Sequence, residues 1–233
     1  MCGRLNTTDD PAVQKLMSLL GVPLWPEPQL AKRFTRATDK IHIIREHQGQ
    51  RQVVPAIWWL LLDRNEGGFT PSKYTSFNTR YDKLNQPRSA GYKPFRQSRC
   101  VILAKGFGET ELLNKKPLHY HDLQAIEDET IAFAGLYKEW IHPVTGEHIF
   151  SCSIITLPPH EKLKHIHSKS MPLILPQYDS SIDLWLDSSV QNTEQLAYLL
   201  TPHLPQTLLA CRIDKPSTHQ QVAESFIIPS DVA

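Results

Sequence analysis

Residues 131–156 read IAFAGLYKEWIHPVTGEHIFSCSIIT. Two apolar runs, 131–137 and 149–156, are rich in β-branched and aromatic residues and flank a Pro143-Val144-Thr145-Gly146 turn signal. The spacing predicts an antiparallel hairpin. Outward from it, IHII (41–44), VVPAIWWLLL (53–62) and VILAKGF (101–107) are further strand candidates. DDPAVQKLMSLLG predicts a helix, with Asp10 as N-cap, Pro11 at the first helical position and Gly21 beyond the end. Val13, Leu16, Met17 and Leu20 fall on one face. Pro23, Pro26 and Pro28 then enforce an irregular connection. Two shorter helices are expected at 159–166 and 192–200. Short strands joined by turns, with helices placed irregularly between them, give an α+β class with largely antiparallel pairing.

The chain has 233 residues, 40% hydrophobic and 21% charged, which suits one domain over 1–233. The start MCGRLNTTDDP has no apolar leader, and no run approaches the roughly 20 apolar residues of a membrane span. A soluble, cytoplasmic protein is expected. Cys2, Cys100, Cys152 and Cys211 are widely spaced, without the CxxC pairs of a metal or redox motif. Cys100 and Cys152 lie in strand-like runs and read as buried, inert thiols.

Net charge is only +1, yet Lys73–Lys105 holds eight basic residues against one acid, Asp82. That +7 strip contains Arg80, Lys83 and Arg96 and is a candidate phosphate-tracking surface; a solvated face balanced by the acid-rich AIEDET segment is the alternative. Trp58 and Trp59, with Phe34 and Phe107, are candidate stacking platforms for unpaired bases. Adjacent strand residues point to opposite faces, so one tryptophan at most, taken as Trp58, faces a ligand.

Phosphate loops, HExxH and GxSxG motifs are absent from the sequence. HYH (119–121) and HIH (165–167) have strand-face spacing, but no carboxylate or thiol stands at a recurring ligand distance in sequence, so structural histidines and no metal are expected. Cys2 is distinctive by position. Once Met1 is removed it carries an α-amine and a thiol two carbons apart, both nucleophilic near neutral pH. Such a 1,2-aminothiol can capture an aldehyde as an imine and close a five-membered thiazolidine, aided by proximity. Alternatively the thiol attacks an acyl group with the amine as base.

MCGR at the start, FNTR (77–80), AKGFGE (104–109) and HSKSMPLIL (167–175) resemble, in order and spacing, the signature patches of the SOS-response-associated peptidase family, the abasic-site processing proteins. The resemblance implies an α+β fold with a barrel-like antiparallel core and helices packed around it. It further implies a Cys2 thiazolidine with the opened aldehyde of an abasic site in single-stranded DNA, by a monomer that needs no cofactor. Autopeptidase and strand-cleaving lyase activities belong to the same resemblance. Carried onto matching positions, Cys2 is the nucleophile, Asn78 holds the sugar and the Cys2 backbone, Glu109 is the general acid/base, and His167 assists proton transfer. Arg4 and Arg80 would contact phosphate, and the protein would sit on the nucleoid when bound to DNA.

The chain departs from the family pattern in four places. RFTRATDK replaces a Tyr-Asn-x-Ala-Pro segment, Gly108 and Thr110 replace aromatic residues beside Glu109, and the tail lacks a Val-Asn motif. In HSKSMP the spacing to Met171-Pro172 is one residue longer, which would put Ser168 in place of the histidine. Two other classes compete: an N-terminal-nucleophile amidohydrolase, which would turn over glutamine, and a non-catalytic binder of damaged DNA.

Overall fold

A computed structural model describes residues 3–8, 10–22, 30, 32–126 and 128–232. Met1, Cys2 and the predicted connection through Pro23, Pro26 and Pro28 lie outside the described residues.

In chain order the first strands are β1 (Arg4–Asn6), β2 (Thr35–Arg36), β3 (Lys40–His47), β4 (Gln50–Ile57), β5 (Leu62–Asn65), β6 (Gly68–Pro71) and β7 (Asn78–Arg80). They are followed by β8 (Arg99–Ala104), β9 (Gly106–Leu113), β10 (Lys116–Ala125) and β11 (Ile131–Ile141). The last are β12 (His148–Leu157), β13 (Met171–Pro172), β14 (Leu208–Ile213) and β15 (Phe226–Ile228). The helices among them are α1 (Pro11–Leu19), α2 (Tyr92–Gln97) and α3 (Ser181–Leu186).

The predicted hairpin is present: β11 and β12 pair antiparallel from Gly135↔Ile154 to Ile141↔His148. It closes a five-strand barrel, β11–β8–β3–β4–β12 and back to β11, in which only the β4–β12 contact is parallel. Closure leaves these strands no free edge. Both faces of β8 are buried, as are the first seven residues of β11. Gly135 lies on that wall, where a Cβ would come 2.8 Å from Cys100 Sγ. Cys100 and Cys152 are free, fully buried thiols, and burial pushes both well above the usual thiol range.

The second sheet runs β15–β14–β10–β9–β1–β2. Phe107 of β9 meets Phe133 of β11 edge to face at 5.7 Å, tying the two sheets together. Helix α3 seals the barrel through Trp185, which is fully buried, rests on Phe95 of α2 and donates to Cys100 O.

Helix α1 forms as expected, with Ala12 N donating to Asp10 Oδ1, Pro11 at its first position and Gly21 at φ +70° beyond its end. Four other expectations are corrected. The run 53–62 does not continue as a strand past Ile57, because Trp58 and Leu60 turn into the core at 0% exposure, where Trp58 N donates to Asp39 O and Leu60 N to Ser76 O. The run 101–107 is two strands that belong to different sheets. Its corner is Lys105, whose Nζ donates to the carbonyls of Ile126 and Glu129. At Gly106 a Cβ would lie 2.4 Å from Leu123 O, so only glycine lets β9 turn this closely onto β10. The helix expected at 159–166 is a single 3-10 turn, Glu161–Leu163, and that at 192–200 is a 3-10 helix, Thr193–Leu200, capped by Asn192.

Trp58 is not a stacking platform. Its ring is packed edge-on against Phe77 at 6.0 Å with Nε1 donating to Phe77 O, so it is a core residue. Phe107 is equally buried. Trp59 is half-buried, stacked on Phe77, and its Nε1 donates to Ser72 O.

Candidate active site

The chain enters through Gly3 into β1, which lies between β2 and β9. Its pairing Leu5↔Phe107 and Asn6↔Gly106 sets Arg4 beside Gly108. A Cβ at position 108 would be 2.6 Å from Arg4 Nε, so the departure to glycine makes the space that this guanidinium fills. Arg4 lies over the rings of Phe34 and Tyr120, at 5.2 and 5.4 Å, and donates through Nη2 to Glu109 O at 2.8 Å.

Glu109 is 4% exposed and His167 8%. His167 Nδ1 lies 3.4 Å from Glu109 Oε2 and 3.3 Å from Thr110 O. The 3-10 turn ahead of His167 sets its position, because His167 N donates to Leu163 O. Ser168 is exposed, so the longer spacing to Met171-Pro172 is absorbed after the histidine and the residue that meets Glu109 is His167. The structure therefore brings the Glu109 and His167 side chains together, while Arg4, two residues along the chain from Cys2, is held on the Glu109 backbone. A carboxyl and an imidazole this close can pass a proton between them, which is the requirement for acid and base work at one centre.

Asn78 comes from the barrel side. It opens β7, runs parallel to β12 opposite Ile154, and is half-buried with its Oδ1 enclosed. Neighbouring Thr79 is pinned by a 2.8 Å hydrogen bond to Ser153.

The basic strip is less uniform in space than in sequence. Arg80 is exposed and makes a two-pronged ion pair with Asp82, at 2.9 and 2.7 Å. Lys83 is exposed and donates to Gln86. Arg96 stacks on Tyr92 at 3.9 Å and donates to Leu84 O, Tyr92 O and Asn85 Oδ1, so its guanidinium braces the loop before α2. Arg99 is buried and donates to the carbonyls of Phe95, Trp185 and Asp187. With Lys105 held at the corner, Arg99 and Lys105 leave the surface charge of the strip.

The sequence reading missed Arg36. It is exposed and is the direct strand partner of Arg4. Together with Gly3, Ala37, Pro216 and Ser217, Arg4 and Arg36 line a cavity of about 450 Å³ at the chain entrance. Only the β1–β2 pairing places it there, so RFTR carries no local signal of it.

It also missed a partner for HYH. The β9–β10 pairing sets His119 opposite Glu111 and His121 opposite Glu109, with a bulge between Pro117 and His119. Glu111 Oε2 lies 2.8 Å from His119 Nδ1 and 3.4 Å from His121 Nε2. Burial holds His121 below the usual imidazole range, against an opposing pull from Glu111. Burial pushes the Glu111 carboxyl up, but the hydrogen bonds from both histidines outweigh it and the net shift is downward.

Comparisons with known proteins bear on the family and the fold. A fragment of 152 residues is 30% identical to abasic site processing protein YobE of Bacillus subtilis, covering 65% of this chain and 67% of that protein. Identity to abasic site processing protein YoqW of the same organism is 33% over 56% of each chain. Abasic site processing protein HMCES of Xenopus tropicalis is 28% identical over 69% of this chain and 53% of its own. The match thus spans about half the length of YoqW and HMCES. In fold, a crystal structure of a protein from Bordetella bronchiseptica superposes with a TM-score of 0.70 at 18% identity, over 92% of this chain and all of that one. One from Bacteroides thetaiotaomicron gives 0.64 at 20% identity, over 96% and 98%. The family model for the SOS response associated peptidase (SRAP) matches residues 1–216, and the chain belongs to that family.

Proposed function

We propose that this protein processes abasic sites in DNA by covalent capture on Cys2, exposed by loss of Met1. The observation that carries the reading is the buried Glu109–His167 pair, 3.4 Å apart, beside the strand that begins two residues after Cys2. The ring-opened abasic sugar presents an aldehyde. The Cys2 amine adds to its carbonyl carbon, and the resulting carbinolamine loses water once its hydroxyl is protonated. Glu109 is the acid for that step and the base that takes up the proton the nitrogen releases. The thiol then adds to the imine carbon: a C–S bond forms, the thiol proton passes to nitrogen, and a thiazolidine results with one water lost overall. His167 relays protons between Glu109 and the sugar hydroxyl, and Asn78, which donates and accepts at once, holds the sugar. Arg4 and Arg36 hold the flanking phosphates, with Arg80 joining when a phosphate displaces Asp82. We read the substrate as single-stranded and the protein as a monomer, and strand cleavage or autopeptidase chemistry would use the same thiol.

Intact-protein mass spectrometry before and after incubation with a single-stranded oligonucleotide bearing one abasic site tests this. Loss of Met1 and a stable adduct at the mass of protein plus DNA minus water are expected for wild type, and no stable adduct for Cys2→Ala. Glu109→Gln is expected to form the adduct about 10²-fold more slowly. An adduct of unchanged rate in Cys2→Ala would sink the proposal.

A further inference from the structure

We propose that Glu111, His119 and His121 form a binding site for a divalent metal ion of the zinc class. The three donor atoms lie within 4.8 Å of one another. Two imidazoles and one carboxylate suit zinc far better than the hard cations magnesium or calcium, which take oxygen ligands. Zinc bonds of about 2.0–2.2 Å at tetrahedral angles separate donors by roughly 3.3–3.6 Å. The Glu111–His121 contact, at 3.4 Å, already has that span, and the Glu111–His119 contact, at 2.8 Å, must widen by about half an ångström.

The scaffold is rigid where it matters. His119 and His121 alternate on β10, and Glu111 faces them from β9 across a hairpin, so all three project from one face. His121 is buried, while His119 and Glu111 are 35% and 29% exposed in their side chains, which leaves an entry path. Glu111 also lines a cavity of about 110 Å³ shared with His165, His167 and Ser168.

Arg212 fixes which nitrogen binds. It is the strand partner of His121, and its Nη1 lies 3.3 Å from His119 Nε2. That contact makes Nε2 an acceptor and puts the proton on Nδ1. A metal on Nδ1 moves the proton to Nε2, which then repels the guanidinium donor. Arg212 is therefore a competitor of the metal. Replacing it with a group that accepts from Nε2–H supplies the outer-shell partner that metal-bound histidines usually have.

The test is titration of the full-length, chelator-stripped protein with Zn²⁺ against a chromophoric chelator, with Co²⁺ absorption as a second readout. One zinc per chain is expected in wild type and equally in Cys2→Ala, which removes the terminal aminothiol as a rival ligand. Glu111→Gln and His119→Gln are expected to bind at least 10-fold more weakly, and Arg212→Gln about 10-fold more tightly. His119 is partly exposed, and metal-free thermal melts of each variant check that it folds. No zinc bound by wild type, loss of binding in Cys2→Ala, or equal affinity in wild type and His119→Gln would overturn the site. An Arg212→Gln affinity at or below wild type would overturn its placement on Nδ1.

Discussion

Gly108 is read in sequence as the loss of an aromatic neighbour to Glu109. In space it is the vacancy that lets Arg4 reach Glu109 O. Gly108→Ala places a Cβ against a side chain and not against backbone. We expect stability to change by less than about 1 kcal/mol while DNA capture falls about tenfold, measured by thermal melting and adduct formation side by side. His42 provides a pH-linked counterpart away from the site. It is 8% exposed on β3, and burial lowers its pKa from 6.5 to about 4. In the unfolded chain it protonates near 6.5, whereas the folded chain resists until about 4. The stability of neutral His42 is therefore full above pH 6.5 and lost as pH falls toward 4, by up to ~3 kcal/mol. Urea unfolding of wild type and His42→Gln across that window is expected to show the flatter profile in the variant, and parallel profiles would refute the assignment.

At the scale of elements, the Lys105–Gly106 corner decides which sheet each half of AKGFGE joins. Gly106→Ala forces a Cβ to within 2.4 Å of a backbone oxygen in β10, which no rotamer change relieves. A loss of about 1–3 kcal/mol is expected, seen as a lower urea midpoint, with Gly67→Ala in the β5–β6 turn as a near-neutral control. The short elements were poorly legible in sequence for a related reason. Helices α2 and α3 span six residues each and owe their stability to packing, α3 through Trp185 and the carbonyls that Arg99 caps. Strands β14 and β15 are held by pairing to β10 and to each other rather than by strong local patterning.

For the whole molecule, a net charge of +1 means that any affinity for DNA depends on where the cations sit. The proposed phosphate contacts are three, through Arg4, Arg36 and Arg80, or four with Lys83 of the same basic strip. The noncovalent affinity of Cys2→Ala for single-stranded DNA is then expected to fall with log salt at a slope of about −2 to −3. Arg36→Ala should make that slope shallower by about 0.7. A slope unchanged in Arg36→Ala would place the strand elsewhere on the surface.

The sequence alone determined the β11–β12 hairpin and the capped helix α1, and it supplied the candidates for the proposed chemistry, because period, turn residues and caps are local and Cys2 stands out by its position. It named Glu109 and His167 as partners only through the order of four patches; the 3.4 Å between them is set by β9 and by the turn at Leu163, 58 residues apart in their side chains' sequence positions. Tertiary structure alone decided that Trp58 is core, that Arg96 and Arg99 brace the fold, that Arg36 stands beside Arg4, and that Glu111 completes HYH. Each depends on strand register or on which carbonyls are left for a guanidinium to cap. Register is a long-range choice fixed when two sheets bury their faces against each other, and no local window of sequence contains it.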